Sequence, residues 1–447
     1  MPTTSWGYRA VVRLGAAVAP TLGVFDSRIR AGISAREEAG DRLLDWARWN
    51  RDRARPLVWF HAASVGEGLQ AESVLLPFRR LRADCQVIYT HFSPSAEGLA
   101  RRIEADAVDY LPYDLIGNVD RLLHALEPDL LVFAKLDVWP ELSTRAATSG
   151  AEVAIVAATV SPGSGRLRWP VRPLLEPGYR AIAAAAAVSP EDASRLERLG
   201  VTHDRIRVLG DPRYDSVADR VRAVPPDDPL LRLGGGAPTM VAGSTWPTDE
   251  TVLLQAFARV RQQRPDARLI LVPHEPTADH LTRVERATVQ AGLPTPIRLS
   301  SAAGPAPIIL VDRVGVLAAL YGSGTMAYVG GGFGRAGLHS VLEPAAWSLP
   351  VVFGPSWRNS RDAALLLQAG AARALPRHRI GAPARALHQQ WESWIRDEKN
   401  RQAQGKRARD MVEHGLGASE RSAGMLADLI SARHPRRSLP EARSTLP

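Results

Sequence analysis

The sequence predicts an α/β protein built from two Rossmann-like, doubly wound domains in tandem, facing an inter-domain cleft. Three observations lead there. At 447 residues the chain is about three times a typical domain, long enough to bury two cores. Short β-rich runs alternate with helical stretches in two separate series, the pattern of βαβ units around a parallel sheet. A dense cluster of chain breakers, Val224-Pro225-Pro226-Asp227-Asp228-Pro229 and Gly234-Gly235-Gly236, stands between the two series.

Residues 1–45 are read as an N-terminal segment. Tyr8 to Phe25 is moderately apolar, carries Arg9 and Arg13, and is followed by Arg28, Arg30 and Arg36. Two readings stay open: a helix lying on an anionic membrane, or a helix packed on the domain, with Gly15, Pro20 and Gly23 interrupting it. The first domain spans 46–222, with strands expected at Leu57 to Phe60, Gln86 to Thr90, Ala107 to Leu111, Leu130 to Ala134 and Val153 to Ala157. A linker is expected at 223–236. The second domain, 237–432, has strands expected at Thr239 to Ala242, Arg268 to Val272, Ile308 to Val311, Met326 to Val329 and Val351 to Phe353. The tail, 433–447, lacks an apolar period and is expected to be disordered.

Composition narrows the function classes. With 45% hydrophobic and 23% charged residues the chain has the make-up of a soluble globular protein. A net charge of +9 suits nucleic acid, an anionic membrane or an anionic substrate. Lys occurs only at positions 135, 399 and 406, so the abundance of Arg also fits a compositional bias. A basic patch interleaved with stacking aromatics is not found before the tail, which argues against a nucleic-acid partner. Cys85 stands alone, which rules out an intrachain disulfide or thiolate metal cluster and fits a reducing cytosol. No apolar run reaches the roughly 18 to 20 residues of a membrane span, and no signal-peptide pattern opens the chain.

Within the second domain, Gly330-Gly331-Gly332-Phe333-Gly334-Arg335-Ala336-Gly337-Leu338-His339 follows an expected strand and precedes an expected helix. Gly332, Gly334 and Gly337 satisfy G-x-G-x-x-G, and such glycines let backbone N–H groups approach a phosphate. A dinucleotide site needs an acidic residue about 20 positions on; the chain there reads Ser356-Trp357-Arg358-Asn359. Glu343, six residues beyond the last glycine, either accepts hydrogen bonds from a ribose or simply favours the positive end of its helix.

These residues resemble a known family. Gly331-Gly332 … Gly337-Leu338-His339-Ser340 … Leu342-Glu343-Pro344-Ala345-Ala346 … Pro350-Val351-Val352-Phe353-Gly354-Pro355 is similar to the donor-site block of the 3-deoxy-D-manno-octulosonic acid (Kdo) transferases, glycosyltransferases of GT-B architecture. His61-Ala62-Ala63-Ser64-Val65-Gly66-Glu67 resembles that family's His-x-x-Ser-Val-Gly-Glu loop. Further similar blocks are Ser93-Pro94-Ser95-Ala96-Glu97-Gly98, Leu111-Pro112-Tyr113-Asp114 and Gly210-Asp211-Pro212-Arg213-Tyr214-Asp215. The resemblance covers roughly residues 56–375.

The resemblance implies an inverting transfer of Kdo from CMP-Kdo to a lipid A precursor during lipopolysaccharide inner-core synthesis, at the cytoplasmic face of the inner membrane. It implies Glu67 as general base, with Ser64 and Asp137 on the acceptor side. On the donor side it implies Arg213, Ser244, His274, Gly332, Gly334, Gly337, His339, Ser340 and Glu343. Neither a metal nor a cofactor beyond the nucleotide sugar is expected. Three blocks depart from the family pattern. Glu-Thr-Glu-Leu-Trp-Pro reads Lys135-Leu136-Asp137-Val138-Trp139-Pro140, Ser-Thr-His-Glu reads Ser244-Thr245-Trp246-Pro247, and Pro-Arg-His-Pro reads Pro273-His274-Glu275-Pro276. These departures keep open a different nucleotide-sugar donor or acceptor, or a non-catalytic paralogue.

Overall fold

The computed structural model describes residues 4–23, 27–334, 337–377 and 381–434. The chain divides into two compact units, Met1–Ser216 with Leu416–Pro447, and Val217–Gly415.

The first unit is built on seven parallel strands: β1 (Leu57–His61), β2 (Gln86–His91), β3 (Ala107–Tyr110), β4 (Leu130–Ala134), β5 (Glu152–Ala158), β6 (Ala184–Ala187) and β7 (Ile206–Val208). They lie in the order β3-β2-β1-β4-β5-β6-β7, the doubly wound arrangement expected from the sequence. Strands β1, β2 and β4 are buried along their whole length, which is why they read as continuous apolar runs rather than alternating ones. The second unit repeats the plan with β8 (Thr239–Thr245), β9 (Arg268–Pro273), β10 (Ile297–Arg298), β11 (Ile308–Leu310), β12 (Met326–Val329), β13 (Val351–Phe353) and β14 (Ala372–Ala374), ordered β10-β11-β9-β8-β12-β13-β14.

The strands missed by the sequence reading have a physical explanation. β6 is four alanines, a residue depleted in strands, and it is a strand only because neighbours bury it on every side. β7, β10 and β14 are two or three residues long and lie at or beside the ends of their sheets.

The domain boundaries need correcting at three places. Residues 223–236 do not form a spacer: Leu233 is buried with Val241, Ile270 and Ile309, and Arg268 donates to the Gly234 carbonyl at 2.7 Å. The second domain does not run to 432. The helix Ala418–Arg433 belongs to the first unit, where Ala423, Met425, Leu426 and Ile430 join Val58, Phe60 and Phe78 in one core cluster. Nor does a break fall at residue 45, because a continuous helix, Ser27–Asn50, buries Ala39, Leu43 and Ala47. Of the tail, 435–447 lies outside the described residues.

The N-terminal helix Trp6–Gly23 continues through Gly15 and Pro20. One side is fastened to the domain: the Tyr8 hydroxyl donates to Asp114 at 2.7 Å, and Arg9 forms a two-pronged ion pair with the fully buried Glu141. Val11, Leu14 and Val18 point to solvent. Among the described residues no helix is long and apolar enough to cross a membrane.

The returning helix is capped from far away in sequence. Its N-cap, Gly417, has no side chain, and Asp215 instead accepts from the Gly417 and Ser419 amides at 2.6 and 2.8 Å. Asp215→Ala should cost about 0.5–2 kcal/mol, the range for losing an N-cap acceptor. Urea unfolding checks this, and an unchanged midpoint would show that the helix is held by its apolar face alone.

Candidate active site

The strand order reverses between β1 and β4 in the first sheet, and in the second a reversal falls between β8 and β12. Loops leaving two such strands turn to opposite faces, and ligands of open α/β sheets bind outside the strand ends at that point. Most of the residues singled out in the sequence lie near these points.

In the first unit, β1 runs into Ala62-Ala63-Ser64 and then the helix Val65–Leu81. Ser64 occupies the N-cap position but makes no cap bond; its hydroxyl donates to Glu67 Oε2 at 2.6 Å. Beyond β4, Lys135 stands at φ +62°, a left-handed conformation that costs a residue with a Cβ about 1–2 kcal/mol. Its Nζ lies 4.0 Å from Glu67 Oε1. Asp137 follows in the same turn, accepting the Trp139 indole N–H at 3.0 Å, with Arg166 3.6 Å and His61 Nε2 3.7 Å away. Burial pushes the Asp137 carboxyl up, but His61, the indole and Arg166 outweigh it and hold the group below the ordinary aspartate range. His61 is fully buried with Nδ1 3.0 Å from the Thr90 hydroxyl.

In the second unit, Ser244 stands one residue before the end of β8, at φ +54°, and Trp246 is the N-cap of the helix Pro247–Gln263. Asp249 in that helix's first turn ties three elements together. It accepts the Tyr328 hydroxyl at 2.6 Å, the Gly331 amide at 3.0 Å and the Trp246 amide at 3.0 Å. Burial still pushes its carboxyl above the ordinary range against these donors. The glycine loop is tightly folded. Gly331 has φ +90°, and a Cβ there would stand 2.2 Å from the Gly337 carbonyl oxygen.

The loop is less open to a phosphate than the motif suggests. The Gly331 amide is used by Asp249, and those of Gly334 and His339 donate to Gly331 and Gly330 carbonyls. The following helix, Leu342–Ala346, is barely longer than one turn. Arg335 and Ala336 lie outside the described residues. Glu343 is mostly buried, paired with Arg220 Nη1 at 2.8 Å, and burial pushes its carboxyl above the ordinary range against that pull.

Trp246, His274 and His339 form an aromatic cluster, with His274 4.9 Å from Trp246 and 4.4 Å from His339, centroid to centroid. The Trp246 indole donates to His339 Nε2 at 3.0 Å. Indole nitrogen only donates, so Nε2 must be unprotonated and the imidazole proton sits on Nδ1. Burial first, and the neighbouring His274 second, hold the His339 pKa below the ordinary value.

The expected site residues thus fall in two groups. Ser64, Glu67 and Asp137 cluster at the β1/β4 reversal. Ser244, His274, His339 and the glycines cluster at the β8/β12 reversal, with Ser340 and Glu343 close behind in the chain. Arg213 joins neither: it lies in the first unit, and its guanidinium is taken up by Asp211 at 2.6–3.1 Å.

A family model described as 3-Deoxy-D-manno-octulosonic-acid transferase (kdotransferase) matches residues 37–216. A 3-deoxy-D-manno-octulosonic acid transferase of Bordetella pertussis is 27% identical over 427 residues, covering 89% of this chain and 94% of that protein. Over most of its length the chain is thus similar to Kdo transferases, the family its motifs resemble. A Kdo transferase of Haemophilus influenzae is 24% identical, covering 83% of this chain and 86% of that protein. Among solved structures, the UDP-GlcNAc 2-epimerase of Neisseria meningitidis superposes with a TM-score of 0.58 at 11% identity, over 85% of this chain and all of that one. At that identity the likeness speaks for the fold, two Rossmann-like units of the GT-B kind.

Sequence reasoning passed over Asp249 and Arg166. Asp249 carries a detectable signal, an acid in the first turn of a helix that follows a strand, whereas nothing local marks Arg166.

The His339 environment has a pH consequence. An unfolded histidine takes up a proton around pH 6.5, while the folded one resists, so the unfolded chain binds more protons below that pH and stability is lost as pH falls through it. His339→Gln cannot titrate and should lose less stability than wild type between about pH 7.5 and about pH 5. Urea midpoints at the two pH values measure this; parallel losses would mean that His339 titrates alike in both states.

Proposed function

We propose that this protein is an inverting glycosyltransferase that moves Kdo from CMP-Kdo to a lipid A precursor, working peripherally at the cytoplasmic face of the inner membrane. What most supports the reading is Glu67, a mostly buried carboxylate at the strand-order reversal whose Oε2 is oriented by Ser64. The acceptor hydroxyl must lose a proton as it attacks the anomeric carbon opposite the departing CMP, and a carboxylate at that place takes the proton. With no glycosyl–enzyme intermediate, one such carboxylate suffices. In this reading the second unit holds the nucleotide, the glycine loop facing its phosphate and Glu343 its ribose.

A different nucleotide-sugar donor is the second reading. Trp246 and His274 stand where the family pattern has histidine and arginine, replacing charge with an aromatic surface.

The membrane part rests on the first unit's surface. Val11, Leu14 and Val18 are exposed on the N-terminal helix, Trp169 is 85% exposed, and a Cβ added at Gly7 would stand 3.2 Å from Leu174 in the helix that follows Trp169. Exposed Arg13, Arg168 and Arg172 flank these apolar groups. Apolar side chains beside arginines suit the boundary of an anionic bilayer.

Two experiments test the reading. Purified protein is incubated with CMP-Kdo and an acylated, phosphorylated glucosamine disaccharide, with Glu67→Gln in parallel; the variant should lose roughly 100-fold or more in turnover, the scale of a general base. Undiminished turnover would remove Glu67 from the mechanism, and no transfer by wild type would remove Kdo transfer itself. Separately, Leu14→Glu combined with Trp169→Glu should weaken sedimentation with phosphatidylglycerol vesicles at least about tenfold, since burying one such side chain is worth about 1.5–3 kcal/mol. Equal sedimentation would refute the docking face.

A further inference from the structure

Lys135 has no part in the reaction just described, yet the fold holds it in an unfavourable conformation beside the base. It is the first residue beyond β4, at φ +62°, with its amide fixed to the Val156 carbonyl at 2.8 Å. Glycine or asparagine would take that conformation more easily. Pairing with Glu67 does not explain a lysine there. At 4.0 Å the ammonium is outside hydrogen-bonding distance, Oε2 of the same carboxylate is already satisfied by Ser64, and the Lys135 side chain is 45% exposed against 17% for Glu67. A half-exposed pair of this geometry contributes little to stability. An outlying backbone conformation kept without a stability gain points to function.

The surroundings say what the lysine is for. A second cation, Arg166, is drawn toward Asp137 Oδ1 at 3.6 Å, and Asp137 is in turn engaged by the Trp139 indole. Lys135 is therefore the cation of this cluster that faces the base and solvent together. A hydroxyl handing its proton to Glu67 must come within about 2.6–3.2 Å of the carboxylate. A group bound to the Lys135 ammonium then lies within a few bonds of that hydroxyl on the same molecule. A compact ammonium with three donors suits phosphate or carboxylate oxygens.

We propose that Lys135 selects the acceptor, binding an anionic group, a phosphate monoester or a sugar carboxylate, next to the hydroxyl that Glu67 deprotonates. This rests on Glu67 being the base. Lys135 is the specificity-determining residue of that site, and it acts on the acceptor rather than on the donor.

Binding measured without any donor tests it, and so separates this proposal from Kdo transfer itself. Three glucosamine disaccharides are titrated calorimetrically: one carrying a phosphate monoester, one carrying a Kdo carboxylate, and one with neither. Wild type should bind one of the two anionic probes about 10- to 100-fold tighter than the neutral one, the worth of one charge-assisted hydrogen bond; which of them it is identifies the anion. Lys135→Gln and Lys135→Gly should bind that probe no better than the neutral one, while Lys135→Arg keeps part of the preference. Lys135→Gly should also melt at a higher temperature than wild type, because it relieves the left-handed strain; a lysine kept for stability would move the melting temperature the other way. Absence of any preference in wild type, or its survival in Lys135→Gln, overturns the proposal. A preference that depends on Lys135 in a protein that transfers no Kdo supports it and sinks the donor reading instead.

Discussion

A parallel sheet whose strand order reverses must send the loops of two adjacent strands to opposite faces, and both clusters of candidate site residues depend on that constraint. In the first unit it places the loop after β1 beside the turn after β4, bringing Glu67 within 4.0 Å of Lys135 although 68 positions separate them in sequence. In the second unit it places the end of β8 beside the loop after β12, so that Trp246 meets His339 and Asp249 reaches Gly331. Each sheet sets different polar groups at its own reversal point, which is why one plan serves two kinds of cluster.

Irregular loops at strand ends need something to fix them, because they lack a hydrogen-bond ladder of their own. Here aspartates perform that task. Asp249 accepts from Tyr328, Gly331 and Trp246 at once, and Asp114 accepts from the Glu141 and Leu142 amides as well as from Tyr8. Asp192 accepts from the Val160 amide at 2.8 Å and from the Ser189 hydroxyl at 2.7 Å. Burial opposes the charge on Asp114 and Asp249, raising both above the ordinary range. The donors around each carboxylate offset that cost, and removing a single donor would leave a buried acceptor short of a partner. Rigidity at the strand ends is thus obtained from a few polar contacts that tolerate little change.

Much of this was legible in the sequence because burial writes itself into composition. Strands such as β4 and β12, buried on both faces, appear as unbroken apolar runs whose ends could be read to the residue, and the loops that follow carry the glycines and polar groups that mark them as sites. What stayed hidden depends on distance or on context. The alanines of β6 carry no strand preference of their own, and the return of the Ala418–Arg433 helix to the first core is invisible to any local pattern. The breaker cluster at 223–236 read as a linker because prolines and glycines interrupt regular structure, whether or not the segment is packed; Leu233, which is buried, is the residue that decides it. Arg213 read as a donor-side cation from its position in a motif, and nothing in that motif shows that Asp211, two residues earlier, would occupy its guanidinium.

The two openings differ in how they treat charge, and the difference bears on recognition. Around Glu67 the charges alternate, with Lys135 and Arg166 set against Glu67 and Asp137 and half-exposed cations available to an incoming ligand. Beside the glycine loop, the aromatic side chains brought together are an indole and two imidazoles. Because the Trp246 indole can only donate, His339 is held in the neutral form, and it offers an N–H dipole in place of the positive charge an imidazolium would carry. A dipole attracts an anion more weakly than a full charge and is far more sensitive to direction. On the proposed reading, a nucleotide held there would be recognised by fit to the loop and to the aromatic surface more than by attraction, whereas an acceptor at the first opening would be selected by charge.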